Sequence, residues 1–221
     1  MIRCFMIISC LLVMVSCVSG AWTEHNFNGM INDINQLLPE NLRWVLVQYA
    51  VEFETGKQPA NMNLNEKQLI ESILHDVDFA IESFTTGMSY QKGAGLLGQI
   101  SRKIMSMHSL LHDSSELSNQ TWQTDYAIFL QQHRKHFRIR WHGYNQLPTN
   151  RNQLQTMLLT SQQNTGQYNN KLVETLNKEN KSIAEYDLMS IPFGIGSITY
   201  SNAVRTIAYT WLYVWSQAGG L

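Results

Sequence analysis

The chain has 221 residues, with 44% hydrophobic and 15% charged side chains, a composition that excludes a disordered chain. Its formal net charge of -1 gives no strong overall field and no strong nucleic-acid signal. With 13 Gly, 4 Pro and 10 Met it is neither collagen-like nor low-complexity, and it leans toward helix.

Residues 1–21 read as a secretory signal. Arg3 supplies the positive start, and Phe5 to Val15 forms a short apolar stretch. Ser19-Gly20-Ala21 offers the small residues that signal peptidase reads, which places cleavage before Trp22. The apolar stretch is short for a membrane span. All three cysteines (Cys4, Cys10 and Cys17) lie in this segment, so the remaining chain holds none and no disulfide. Export to the periplasm or the extracellular space is the expectation. Met14-Val15-Ser16-Cys17 is a poor lipoprotein box, and an anchor at Cys17 is the alternative.

From Trp22 onward the sequence reads as helices in series, an all-α multi-helix bundle forming a single domain over 22–221. Ile31, Ile34, Leu37 and Leu38 predict a first helix from Trp22 to about Leu38. Pro39 stands at the start of a second, which runs to about Thr55 and is stopped by Gly56. Asn63-x-x-Glu66 resembles a capping box. It opens a third helix whose stripe is Leu69, Ile70, Ile73, Val77, Ala80, Ile81 and Phe84, ending at Gly87. A fourth spans about Tyr90 to His112. Gly93, Gly95 and Gly98 weaken its start unless another backbone packs closely there.

Trp122, Tyr126, Phe129, Leu130, His133 and Phe137 mark a fifth helix, followed by an irregular connection over Arg138 to Pro148. Two short helices are expected near 150–162 and 166–178. Ile191 to Gly196 reads as a loop. The last helix, about Ser197 to Gln217, is apolar nearly all round from Ile207 to Trp215 and belongs in the core. Arg205 and a polar start argue against a transmembrane segment.

Three features fall into a recognisable order. Trp22 would begin the processed chain, with His25 just behind it. Gly98-Gln-Ile-Ser-Arg102-x-x-x-Ser106-x-x-x-Leu110-x-His112 lies on a mid-chain helix. A Trp-rich helix carrying Trp211 and Trp215 closes the chain. This order resembles the zinc-dependent phospholipase C and single-strand nuclease superfamily, secreted all-helical enzymes that hydrolyse phosphodiesters with a cluster of zinc ions. In that family the first Trp binds zinc through its α-amino group and carbonyl. The central motif is Gly-x-x-Ser-His-x-x-x-Asp-x-x-x-Pro-x-His.

The departures from that motif carry their own message. The family's first motif histidine falls on Arg102, its bridging aspartate on Ser106 and its proline on Leu110; only the last histidine is kept, as His112. The next ligand pair falls nearest Thr121 and Asp125. A fixed positive charge at Arg102 would repel Zn²⁺. The resemblance therefore implies a degenerate metal centre with Trp22, His112 and Asp125 as its remnant donors; His25, just behind Trp22, and His108 join the candidate set by position. His108 and His112 share a helix face at a spacing that suits a metal. A helix-end pair favoured by the dipole is the other reading of those two. The expected cofactor is a partial zinc site or none, and no catalytic residue is assigned.

His133 to His142 is the one dense basic segment. Arg134, Lys135, Arg138 and Arg140, joined by Arg102, are the candidate anion-binding residues, for an anionic small molecule such as phosphate, a lipid head group or, beside Trp141 and Tyr144, single-stranded nucleic acid. A solvated helix end is the alternative reading of the same residues. Asn119-Gln-Thr121 and Asn180-Lys-Ser182 match the glycosylation acceptor pattern. Two functions follow: a secreted non-catalytic binder of an anionic ligand or a protein partner on a phospholipase C/nuclease-like fold, or a divergent zinc-dependent phosphodiesterase.

Overall fold

A computed structural model describes residues 22–56, 65–86, 89–111, 120–179 and 181–221. Signal-peptide cleavage, the Cys17 anchor, His112 and both glycosylation asparagines lie outside the described residues. Among the described residues there are eight α-helices, three single 3₁₀ turns and no strand, so the protein is an all-α multi-helix bundle. No helix among them is long and apolar enough to cross a membrane.

Helix α1 (Glu24–Asn35) starts where the Thr23 hydroxyl accepts the Asn26 N–H, and it buries Phe27, Met30, Ile31 and Ile34 along one face. It is shorter than the expected Trp22 to Leu38 at both ends. Thr23 is the cap, so Trp22 lies before the helix and is free to turn inward.

The second predicted helix is two. Helix α2 (Glu40–Gln48) follows Pro39, and α3 (Ala50–Gly56) follows a one-residue interruption at Tyr49, whose backbone leaves the helical region. The redirected α3 packs on α5 (Tyr90–Met107). A Cβ on Gly56 would sit 1.9 Å from the Gly95 carbonyl oxygen. Gly95 thus has the close backbone neighbour that the sequence required, whereas Gly93 makes room for the Phe84 ring. In chain order α4 (Glu66–Thr85) comes between α3 and α5, and it packs along α5. Its capping box is Asn65 with Gln68, where Asn65 accepts the Gln68 N–H and the Gln68 side chain accepts the Asn65 N–H; the expected Asn63 lies outside the described residues. Lys103 crosses from α5 to Asp76 and the Ser72 hydroxyl on α4, both at 2.6 Å.

Helix α6 (Gln120–His133) buries Tyr126, Phe129 and Leu130 and runs into a 3₁₀ turn at Arg134–His136. Further 3₁₀ turns occupy Tyr144–Gln146 and Ile183–Glu185. The two short helices expected near 150–178 are one, α7 (Arg151–Glu179). Its buried Leu154, Leu158, Thr165, Leu172 and Leu176 continue across Gly166 on one face, against α8 (Ile191–Gln217). A glycine there costs about 1 kcal/mol of helix propensity, less than the packing of a continuous face contributes.

Helix α8 overturns the loop expected at Ile191 to Gly196. Ser190 accepts the Phe193 N–H as N-cap, and Pro192 sits in the first turn, where a missing donor costs nothing. The Tyr126 hydroxyl donates to the Pro192 carbonyl at 2.8 Å and ties α6 to this turn. From Ile195 to Trp215 most of α8 is buried, and it contacts α1, α4, α5, α6 and α7, so it is the axis of the bundle. Gly219, at φ 82°, ends it.

Candidate functional site

The expected remnant donors part company. Trp22 turns into the core and donates its indole N–H to the His108 carbonyl oxygen at 2.9 Å, edge-on to Tyr200. His108 is fully buried at the end of α5, with Nδ1 3.0 Å from the Thr165 hydroxyl and Nε2 3.3 Å from the Thr206 hydroxyl. Thr165 donates to the Ser161 carbonyl, so its oxygen accepts from Nδ1–H. Nε2 is then the acceptor for Thr206, whose oxygen lies 3.1 Å from the Ser161 hydroxyl. Both ring nitrogens are filled. Burial, and then the charge of Arg205, push the imidazole down to about 3, so it is neutral near pH 7.

His25 lies on the exposed side of α1 and Asp125 on the exposed side of α6. Among the described residues, no three His, Cys, Asp or Glu side chains come together to hold a metal ion. A zinc site needs three or four such donors on one point. Arg102 is buried on α5, with its guanidinium 2.7 Å from Glu24 and 4.3 Å from the centre of the Phe27 ring. The pair pins the first turn of α1 to α5.

The basic segment behaves differently. The turn after α6 places Arg134, Lys135 and Arg138 around one cleft of about 660 Å³, opposite His25 and Asp33 of α1. Four of the sequence-selected residues (His25, Arg134, Lys135 and Arg138) thereby meet in one place. Arg140 stands outside the cleft lining, its backbone N–H bonded to the Ser201 hydroxyl.

Arg134 forms the rear wall. Its guanidinium lies on the backbone of Gly29, where a Cβ would come within 2.1 Å of Nε. Nε donates to the Tyr200 hydroxyl at 3.2 Å, and that hydroxyl donates to Asp33 at 2.6 Å. Burial works against the guanidinium charge, but Tyr200 and Asp33 outweigh it and raise its pKa. Burial has the opposite effect on the Tyr200 phenol, raising its pKa, so it stays protonated as the bridging donor. Asp33 answers the charge of Arg134. Lys135 and Arg138 are exposed and have no carboxylate partner among the described residues, so the cleft carries surplus positive charge.

Asp33 and Tyr200 are the members that sequence reasoning missed. Neither has a local motif: one sits on a polar turn of α1, the other on the buried face of α8, 167 residues away. No family model matches the chain, and no curated protein or solved structure matches it either.

Proposed function

We propose that the protein is an exported, non-catalytic binder of a phosphate-bearing anion, carried on a phospholipase C/nuclease-like helical scaffold whose metal centre has been lost. The observation that carries this reading is the cleft between α1 and the end of α6. Lys135 and Arg138 face it without a neutralising carboxylate, and Arg134 is anchored behind them on Tyr200 and Asp33. Fixed guanidinium and ammonium groups on a concave surface suit phosphate oxygens. The placement of His108 supports loss of the metal centre, because its ring is spent on Thr165 and Thr206. Arg102, at the family's first histidine position, is likewise spent on Glu24.

The test is calorimetric titration of the purified protein with inorganic phosphate at low and moderate salt, beside elemental zinc analysis without added chelator. The expected result is saturable binding that weakens with salt. A Lys135→Ala/Arg138→Ala double variant should lose about tenfold or more in affinity, roughly the worth of one charge-assisted hydrogen bond. Unchanged binding in that variant would remove the cleft from the argument. Stoichiometric zinc with hydrolysis of a generic phosphodiester would replace this reading with a divergent zinc-dependent phosphodiesterase.

A further inference from the structure

A second cavity, of about 790 Å³, shares no lining residue with the anion cleft. It opens between the start of α2, the start of α5 and the end of α8, and Glu40, Asn41, Trp44, Tyr90 and Trp215 line it. Its floor is built rather than incidental. Trp215 is almost fully buried, edge-on to Phe84 at 5.5 Å and to Tyr90 at 6.5 Å. The indole N–H of Trp215 donates to the Asn41 side-chain oxygen at 3.3 Å, and the Asn41 amide donates to the Gly220 carbonyl at 2.8 Å. Gly220 lies so close to the indole that a Cβ would fall 2.2 Å from it. The chain end therefore clamps the ring. Tyr90 is held in turn by stacking on Tyr49 at 6.3 Å.

The mouth is different. Trp44 is 61% exposed, and its indole makes no hydrogen bond or ring contact among the described residues. A tryptophan beside a cavity, with its ring faces free, is a surface for a ligand. Glu40 stands one helical turn before it and has no ion-pair partner among the described residues. Aromatic faces attract cations through the ring quadrupole, and an adjacent carboxylate adds to that attraction. The polar inventory then selects among cations. The Asn41 oxygen already accepts from Trp215 and from the Leu42 N–H, and its amide is spent on Gly220. Of the lining side chains, Glu40 and the Tyr90 hydroxyl remain as acceptors. The lining is mainly ring surface, which matches the methyl groups of a quaternary ammonium better than the N–H donors of a primary one.

We propose that this cavity binds a free small organic cation of the quaternary-ammonium class, with Trp44, Tyr90 and Trp215 as its aromatic walls and Glu40 as its counter-charge. Tetramethylammonium chloride is the probe, titrated at constant ionic strength into isotope-labelled protein and followed by backbone and indole N–H resonances. Neopentyl alcohol, of similar shape and no charge, is the comparison.

The expected result is a saturable shift, in the millimolar range of a weak small ligand, centred on Trp44, Tyr90 and Trp215. Trp44→Leu should weaken it about fivefold or more, the factor one partly exposed cation–π contact supplies. Glu40→Gln should weaken it about threefold, as for an exposed ion pair. Both side chains are exposed, so melting temperatures should hold. Equal binding of the alcohol, shifts centred elsewhere, no saturation, or wild-type affinity in both variants would each overturn the proposal.

Discussion

The buried imidazole of His108 makes a pH-dependent stability prediction. The unfolded chain takes up a proton at this histidine as pH falls through its ordinary value of 6.5, whereas the folded protein refuses it until about 3. Between those values the unfolded state binds one more proton, so stability falls with falling pH by about 1.4 kcal/mol per unit. From pH 6.5 to 5 the loss is about 2 kcal/mol, a large share of an ordinary folding free energy. Above pH 7 the term vanishes. His108→Gln cannot titrate. It should cost about 1–2 kcal/mol at pH 7.5, because one amide cannot serve both Thr165 and Thr206.

The assay is urea unfolding of both proteins at several pH values from 7.5 to 5. The advantage of the wild type should shrink by about 2 kcal/mol across that range, as carboxylate effects common to both proteins cancel. The ring resonances of His108 provide a check that does not depend on the variant folding. They should keep the neutral pattern down to pH 5. A constant gap between the two proteins, or a His108 ring that titrates near 6.5, would refute the reasoning.

Two glycines test the packing on either side of the bundle. Gly56→Ala drives a methyl group into the Gly95 carbonyl, backbone against backbone, so α3 and α5 must separate. The expected cost is about 1–3 kcal/mol, visible as a melting temperature lowered by roughly 3–10 °C. Gly29→Ala drives its methyl group first into the Arg134 guanidinium, a side chain that can swing away, and should dislodge it from Tyr200 and Asp33. Its cost should stay near about 1 kcal/mol by urea unfolding, with phosphate affinity in the cleft falling several-fold. A Gly29→Ala protein that binds phosphate as the wild type does would show that Arg134 takes no part.

The all-α class and most of the helix faces were legible in the residue order. Apolar positions at three- and four-residue spacing, as in Leu69, Ile70, Ile73 and Val77, report a helix through local geometry alone. The burial of the final Trp-rich helix follows from its having no polar side over Ile207 to Trp215. The basic segment was equally visible, because charge density is a property of neighbouring residues. Breaks and joins were harder to read. Gly166 and the Ile191–Gly196 stretch look like interruptions locally, yet α7 and α8 run through them. Packing along a continuous face outweighs about 1 kcal/mol of propensity per glycine.

The sites lay further out of reach. Trp22 meets the His108 carbonyl across 86 residues, and Tyr200 meets Asp33 across 167. Hydrogen bonds between distant residues leave no spacing in the sequence. They form only when the helices have chosen their crossing angles and register, and side-chain packing makes that choice. The same packing turned His108 from a candidate metal donor into a buried neutral hub, and brought His25 into the same cleft as the cations that follow α6.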